Sequence, residues 1–231
     1  MKNVKEAVEI YLRKCPPALE LFQQLLEVGE VYLIGGILRE YRDNNDIKEL
    51  RDADFIIDIK RPDLWEMLLE KYHSTGNRFD GYKFDCESGF VVDVWEVDKT
   101  WAYRQNLIEY DRMNYLQTLP DTVFLNMDSI IYDLNEDKWY DSIYQEAVRQ
   151  GVLDIVLKEN PYVELNLLRA MILRRKYSMR YSEYLRNVFL EYMQKNEGFV
   201  DDLMEIQYQR YHHPVLSKQD IVEELQQFKR I

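Results

Sequence analysis

The ten residues VYLIGGILRE, Val31 to Glu40, constrain this chain more than any other stretch. A short apolar run of strand character stops at Gly35-Gly36 and resumes at once with helical spacing. The next apolar run lies in RDADFIID, Arg51 to Asp58, and carries two aspartates one residue apart. Side chains alternate faces along a strand, so Asp52 and Asp54 point the same way while Ala53, Phe55 and Ile57 point into a core. Two carboxylates side by side repel each other. Unless they are exposed or share a proton they need a cation, and hard divalent ions such as Mg²⁺ prefer oxygen ligands.

A lone D-x-D is more often an exposed polar edge than a metal site. The strand FVVDVWEV changes that balance. Phe90, Val92 and Val94 share one face, and Asp93 sits on the other between Val91 and Trp95. Burying an aspartate among such neighbours is costly unless it has a partner or a task. Placed on an adjoining strand, Asp93 joins Asp52 and Asp54. Three carboxylates then hold two metal ions for an in-line phosphoryl displacement. The glycine pair fits the same scheme, because Gly35 and Gly36 let a polyanion approach the backbone and the following helix N-terminus favours negative charge. Arg39, on the first turns of that helix, is the expected contact to a phosphate oxygen.

Composition narrows the setting. Hydrophobic residues make up 46% of 231 residues, which is a globular chain. The longest apolar run is VYLIGGIL, far too short for a membrane span. The first fifteen residues read as an amphipathic helix that includes acidic residues, and not as a signal peptide. Cys15 and Cys86 have no ligand-like spacing and suit a reducing cytoplasm. Net charge is −12, which excludes a protein that mainly coats nucleic acid. His73, His212 and His213 form no metal spacing, and the histidine pair beside Pro214 reads as a surface turn.

The predicted elements are helices over Val4–Lys14 and Pro17–Val28, a strand over Val31–Ile34, a helix from Gly36, a strand over Ala53–Ile59 and a helix opened by Pro62. Hairpins are predicted at Tyr82–Phe84 with Phe90–Val97, turning at Ser88-Gly89, and at Ser129–Leu134 with Lys138–Tyr140. After about Ser142 the pattern turns wholly helical. These observations predict an α+β fold: a mixed sheet with flanking helices over residues 1–141, followed by a helical domain over 142–231.

The combination of a glycine pair, D-x-D and a third strand carboxylate resembles the DNA polymerase β-like nucleotidyltransferase superfamily. Within it, the closest match is the head and neck of class II tRNA nucleotidyltransferases and bacterial poly(A) polymerases. LIGGILRE resembles their glycine-glycine-x-x-Arg-Asp element, with Glu40 for the aspartate. DADFIID and VVDVWEV resemble their acidic strands, and TGNRFDGYKF the glycine-containing segment between them. FLNMDSIIYDL is similar to their FTINALAYD motif, and NLLRAMILRRKY to the start of their neck. The resemblance implies transfer of a nucleotide from a nucleoside triphosphate to an acceptor hydroxyl. It assigns Asp52, Asp54 and Asp93 to catalysis and to two Mg²⁺ ions. Gly35, Gly36, Arg39, Arg78, Lys83 and Arg169 are assigned to the nucleotide.

Departures accompany the resemblance. The paired arginines before FTIN are replaced by PDTVFL, the motif asparagine falls on Asp128, and the first neck arginine falls on Asn166. Arg169 to Arg186 holds six basic residues and one acid, interleaved with tyrosines, which suits a triphosphate, a short single strand or simply a packed helix. The expected acceptor is a small molecule, a protein or a short RNA. An intact tRNA repaired at its CCA end is not expected. A non-catalytic nucleotide-binding or interaction module of the same fold is the alternative.

Overall fold

The computed structural model describes residues 3–48, 52–77, 79–86 and 90–229. The predicted turn at Ser88-Gly89 lies outside them. The chain divides into two compact units, one of residues 1–122 with 128–142, the other of 123–127 with 143–231.

In the first unit, α1 (Val4–Leu12) opens on a capping box between Asn3 and Glu6, and α2 (Pro16–Val28) opens on its proline pair. Seven strands form one mixed sheet: β1 (Gly29–Ile34), β2 (Asp52–Ile59), β3 (Thr75–Gly76), β4 (Tyr82–Asp85), β5 (Val91–Glu96), β6 (Ile131–Asp133) and β7 (Lys138–Tyr140). Their spatial order is β3-β4-β5-β2-β1-β6-β7. β2 runs parallel to β5 and antiparallel to β1, and the other neighbours described are antiparallel. The helices α3 (Gly36–Asn44) and α4 (Pro62–Lys71) follow β1 and β2 directly. The α+β class expected from the residue pattern is therefore present.

The two sheet faces differ in cover. Ala53, Phe55 and Ile57 of β2 are fully buried with Val31, Leu33, Val92, Val94 and Phe84. On that face the Phe22 ring of α2 lies 5.5 Å from Phe55, and Trp65 of α4 meets Tyr82 edge-on at 5.1 Å. The opposite face carries Tyr32, Ile56 and Ile131, packed with Val97, Tyr103, Tyr115 and Leu119 from the segment after β5. That segment contains two short helices, α5 (Trp101–Arg104) and α6 (Tyr115–Thr118). It covers the stretch of β2 around Ile56.

The second unit is mainly helical: α7 (Ser142–Gln150), α8 (Val163–Tyr177), α9 (Glu183–Lys195), α10 (Phe199–Tyr211) and α11 (Lys218–Gln226). A short parallel pair, β8 (Val152–Leu153) with β9 (Arg180–Tyr181), lies between helices. Residues 123–127 join this unit through Asn126, whose amide donates to the Val152 carbonyl at 2.9 Å and accepts from the Asp154 N–H at 3.1 Å. The rings of Tyr181, Phe189 and Phe228 pack at 5.1–5.3 Å, and the fully buried Gln207 accepts from Val215 and Leu216 N–H groups.

Candidate active site

The parallel register sets Asp54 directly beside Asp93, and Asp52 beside Val91. Neighbouring strands lie about 4.8 Å apart, so two carboxylates share one position on one face. Asp52, two residues before Asp54, is on the same face. All three are half-buried. On the other side of Asp93, the antiparallel register places Lys83 of β4 opposite it. A lysine and two aspartates thus lie in a row across β4, β5 and β2.

β1 runs antiparallel to β2, with Leu33 opposite Phe55, so the end of β1 reaches the same end of the sheet as Asp54 and Asp52. There the chain turns through Gly35, whose φ of +74° is one that glycine alone adopts without strain. Among the described residues, apart from its two chain neighbours, no atom lies within 4 Å of where a Gly35 side chain would begin. The turn therefore faces open space beside the carboxylates. The first N–H groups of α3 follow at once, and such groups have no partner within their own helix. Gly35 and Gly36 stand where the sequence placed them.

Arg39 stands on the second turn of α3. Its Nη1 donates to Asp128, and the two side chains are only 11% and 8% exposed. Its Nη2 lies 3.8 Å from the position of a Gly36 side chain, so the guanidinium is folded back against the glycine turn. Arg42, one turn on, pairs with Asp141 and stacks over Trp139 at 3.7 Å. Both arginines tie α3 to the segment that carries β6 and β7.

The loop before β4 is organised by Asn77. Its Oδ1 accepts from the N–H groups of Phe79 (3.0 Å) and Gly81 (2.8 Å), while its Nδ2 donates to Asp93 Oδ1 at 3.1 Å. Gly81 leaves no room for a side chain, because a Cβ there would meet Trp95 at 2.4 Å. Arg78 lies outside the described residues. Further along the same face of β2, Tyr32, Tyr115 and Asp58 form a hydrogen-bonded chain of 2.7 and 3.1 Å. Burial pushes Tyr103 up to about 12 and raises Tyr32 and Tyr115 well above the ordinary phenol range, so these hydroxyls stay neutral.

Among the described residues no group of three or more His, Cys, Asp and Glu side chains is gathered as a metal cage. The sequence predicted three carboxylates holding two ions; the structure lines them on one face without closing them into a cage. The donors still suit Mg²⁺. That ion is usually held by one or two carboxylates plus substrate phosphates and water, not by a cage made wholly of protein.

In the second unit, two of the basic residues in 169–186 are used within the fold, as the packed-helix reading allowed. Arg174 pairs with Glu224 at 3.1 Å, and Arg175 pairs with Asp220 at 2.6 Å and Glu224 at 3.6 Å. Glu224 is 1% exposed and also accepts from the Tyr181 hydroxyl at 2.7 Å. Two of the five arginines in this stretch, Arg174 and Arg175, are thereby paired within the fold. Arg169 is half-buried on α8. Asn166 is buried, its amide donating to Asn160 and the Tyr162 carbonyl. Asn77 entered the sequence reading only within TGNRFDGYKF, and Asp128 had no expected contact to Arg39. The Asn77–Asp93 bond spans 16 residues and the Arg39–Asp128 pair spans 89, so no local pattern announces them.

No family model matches the chain, and no curated protein matches it by sequence. Solved structures match it in fold. A CCA-adding enzyme from Thermotoga maritima, complexed with tRNA, is 17% identical with a TM-score of 0.62, covering 99% of this chain and 54% of that one. CCA-adding enzyme in complex with ATP gives 16% and 0.61, over 98% of this chain and 53% of that one. The complex with CTP gives 16% and 0.61, over 99% and 55%. This chain therefore has the fold of these nucleotidyltransferases and spans about half their length.

Proposed function

We propose that this chain is a metal-dependent nucleotidyltransferase that moves a nucleoside monophosphate from a nucleoside triphosphate to an acceptor hydroxyl. The observation that carries the reading is the pairing of Asp54 with Asp93 at the end of the sheet where Gly35 breaks β1. Like charges set side by side cost stability, and such arrangements mark sites that expect a cation. Fold likeness to CCA-adding enzymes solved with ATP and with CTP supports the reaction class. We assign residues 1–141 as the catalytic head and 142–231 as a neck-like helical domain.

In this reading the glycine turn and the N-terminus of α3 receive the β and γ phosphates, with Arg39 beside them. Asp52 and Asp54 would hold Mg²⁺ with the triphosphate, and Asp93 would complete the inner of two ion sites. When bound, Mg²⁺ neutralises phosphate charge and lowers the pKa of a coordinated hydroxyl. The acceptor oxygen forms a bond to the α-phosphorus, the bond to the β-phosphate oxygen breaks, and pyrophosphate leaves. Asp93, held by Asn77, lies on the acceptor side of the carboxylate row. Lys83 and Arg78 are assigned to the nucleotide, and Arg169 to its base or phosphates. Catalysis of this kind is mostly positioning and charge neutralisation.

The acceptor we assign is a small molecule, a protein or a short RNA, and not an intact tRNA. A folded RNA arm needs many phosphate contacts, whereas this chain carries a net charge of −12 and its arginines 174 and 175 are paired with acids. No described helix is long and apolar enough to cross a membrane. A non-catalytic nucleotide-binding module is the second reading, and the replacement of the paired arginines by PDTVFL favours it. Incubation with each α-labelled triphosphate, Mg²⁺ and a panel of acceptors that includes tRNA lacking CCA separates these readings. Label transfer to an acceptor other than tRNA, lost in Asp93→Ala, is expected. Ordered addition of C, C and A to the tRNA would overturn the acceptor assignment, and nucleotide binding without transfer to any acceptor would favour the non-catalytic module.

A further inference from the structure

We infer that Asp128 sets the strength of the phosphate subsite by holding Arg39 in place while cancelling most of its charge. The inference rests on the glycine turn being a phosphate site, as proposed above. Arg39 Nη2 lies against Gly36, at the mouth of the turn, whereas Nη1 is committed to Asp128. Both partners are nearly buried, so water screens neither strongly. Asp128 therefore does two opposed things. It fixes the plane of the guanidinium beside the turn, and it places a negative charge within a few ångströms of where a polyphosphate would lie.

The first effect favours binding and the second opposes it. Asparagine separates them, because its carbonyl oxygen can accept the same N–H while carrying no charge. The charge matters more, because two like charges at short range in a partly buried site repel far more strongly than in water. A neutral partner at this position should thus tighten the hold on a triphosphate, and on the pyrophosphate that must leave after transfer. In this molecule a weak, well-oriented arginine favours release of the leaving group over tight capture.

The test is calorimetric titration of inorganic triphosphate, with Mg²⁺, into the wild type, Asp128→Asn, Arg39→Gln and the double variant, with thermal melting as the check on folding. Asp128→Asn is expected to bind about tenfold more tightly, a change of about 1.4 kcal/mol. Arg39→Gln is expected to bind more weakly than the wild type, and adding Asp128→Asn to it should recover part of that loss, because the repulsion between Asp128 and the phosphates does not depend on Arg39. Pyrophosphate should inhibit label transfer more strongly in Asp128→Asn. Should that variant fail to fold, Asp128→Ser, also neutral and able to accept, takes its place. The inference fails if the wild type binds triphosphate and the neutral variant binds no better, or if Arg39→Gln binds as tightly as the wild type. Absence of binding in all four proteins overturns the phosphate reading of the glycine turn itself, and the inference with it.

Discussion

The two units handle charge in opposite ways. In the second, Glu224 is buried but surrounded by Arg174, Arg175 and the Tyr181 hydroxyl, so its charge is matched on several sides. In the first, Asp54 and Asp93 are set side by side on adjoining strands with Asp52 two residues away. The second arrangement holds a fold together. The first sets like charges next to each other, the kind of arrangement that a bound cation would stabilise.

The largest expected effect breaks the matched region. Glu224→Ala leaves two arginines and a buried tyrosine without their common partner, and should lower stability by about 3 kcal/mol in denaturant unfolding. A loss near zero would mean that the network is ornamental and the contrast empty. Asp54→Asn, by comparison, relieves a repulsion and should leave stability unchanged or raise it by about 0.5 kcal/mol.

A second test concerns groups that the first unit keeps neutral. Burial pushes the Cys86 thiol up from 9.0 to about 11. A raised pKa means that the folded state holds its proton more tightly than the unfolded chain does. The stabilisation is then full below pH 9 and is lost as pH rises from about 9 to about 11. Two pH units at about 1.4 kcal/mol each, discounted for partial solvent access, give about 2 kcal/mol. Comparing the alkaline stability of the wild type with Cys86→Ala should show this loss in the wild type alone. Alkylation of Cys86 should remain slow at pH 8 and accelerate towards pH 11. Equal alkaline profiles would count against the buried thiol.

The third effect is smaller and lies inside the crowded region. Asn77→Ala releases Asp93 and loosens the loop before β4, and it should reduce turnover about tenfold with little change in nucleotide affinity. Asn77→Asp keeps the loop acceptor but adds a charge beside Asp93, and should restore structure without restoring rate. A uniform loss of affinity in both variants would make Asn77 a loop residue and nothing more.

Much of this was legible in the sequence, and the reason is locality. The break of β1 at Gly35, the alternation in DADFIID and VVDVWEV, and the turn between β6 and β7 are short-range patterns. Each fixes a face or a bend within a few residues. The α+β class followed from those patterns. What stayed hidden were partners distant in the chain. Arg39 read as a phosphate contact because nothing nearby predicts Asp128, and Arg42 gave no sign of Asp141. Arg174 and Arg175 read as a basic patch because Asp220 and Glu224 lie 45 to 50 residues further on. That Asp93 lies on a strand adjoining Asp52 and Asp54 was expected, but the parallel register that sets it opposite Asp54 was not.

The central claim is that the crowded carboxylates are kept for a metal-bound nucleotide. Its most direct test is calorimetry of each nucleoside triphosphate with Mg²⁺ on the wild type and on the Asp52→Asn/Asp54→Asn double variant, with melting temperatures measured on the same samples. The account predicts Mg²⁺-dependent binding to the wild type, loss of that binding in the variant, and a melting temperature equal to or above that of the wild type. Full affinity for the Mg²⁺-bound triphosphate in the double variant would contradict it.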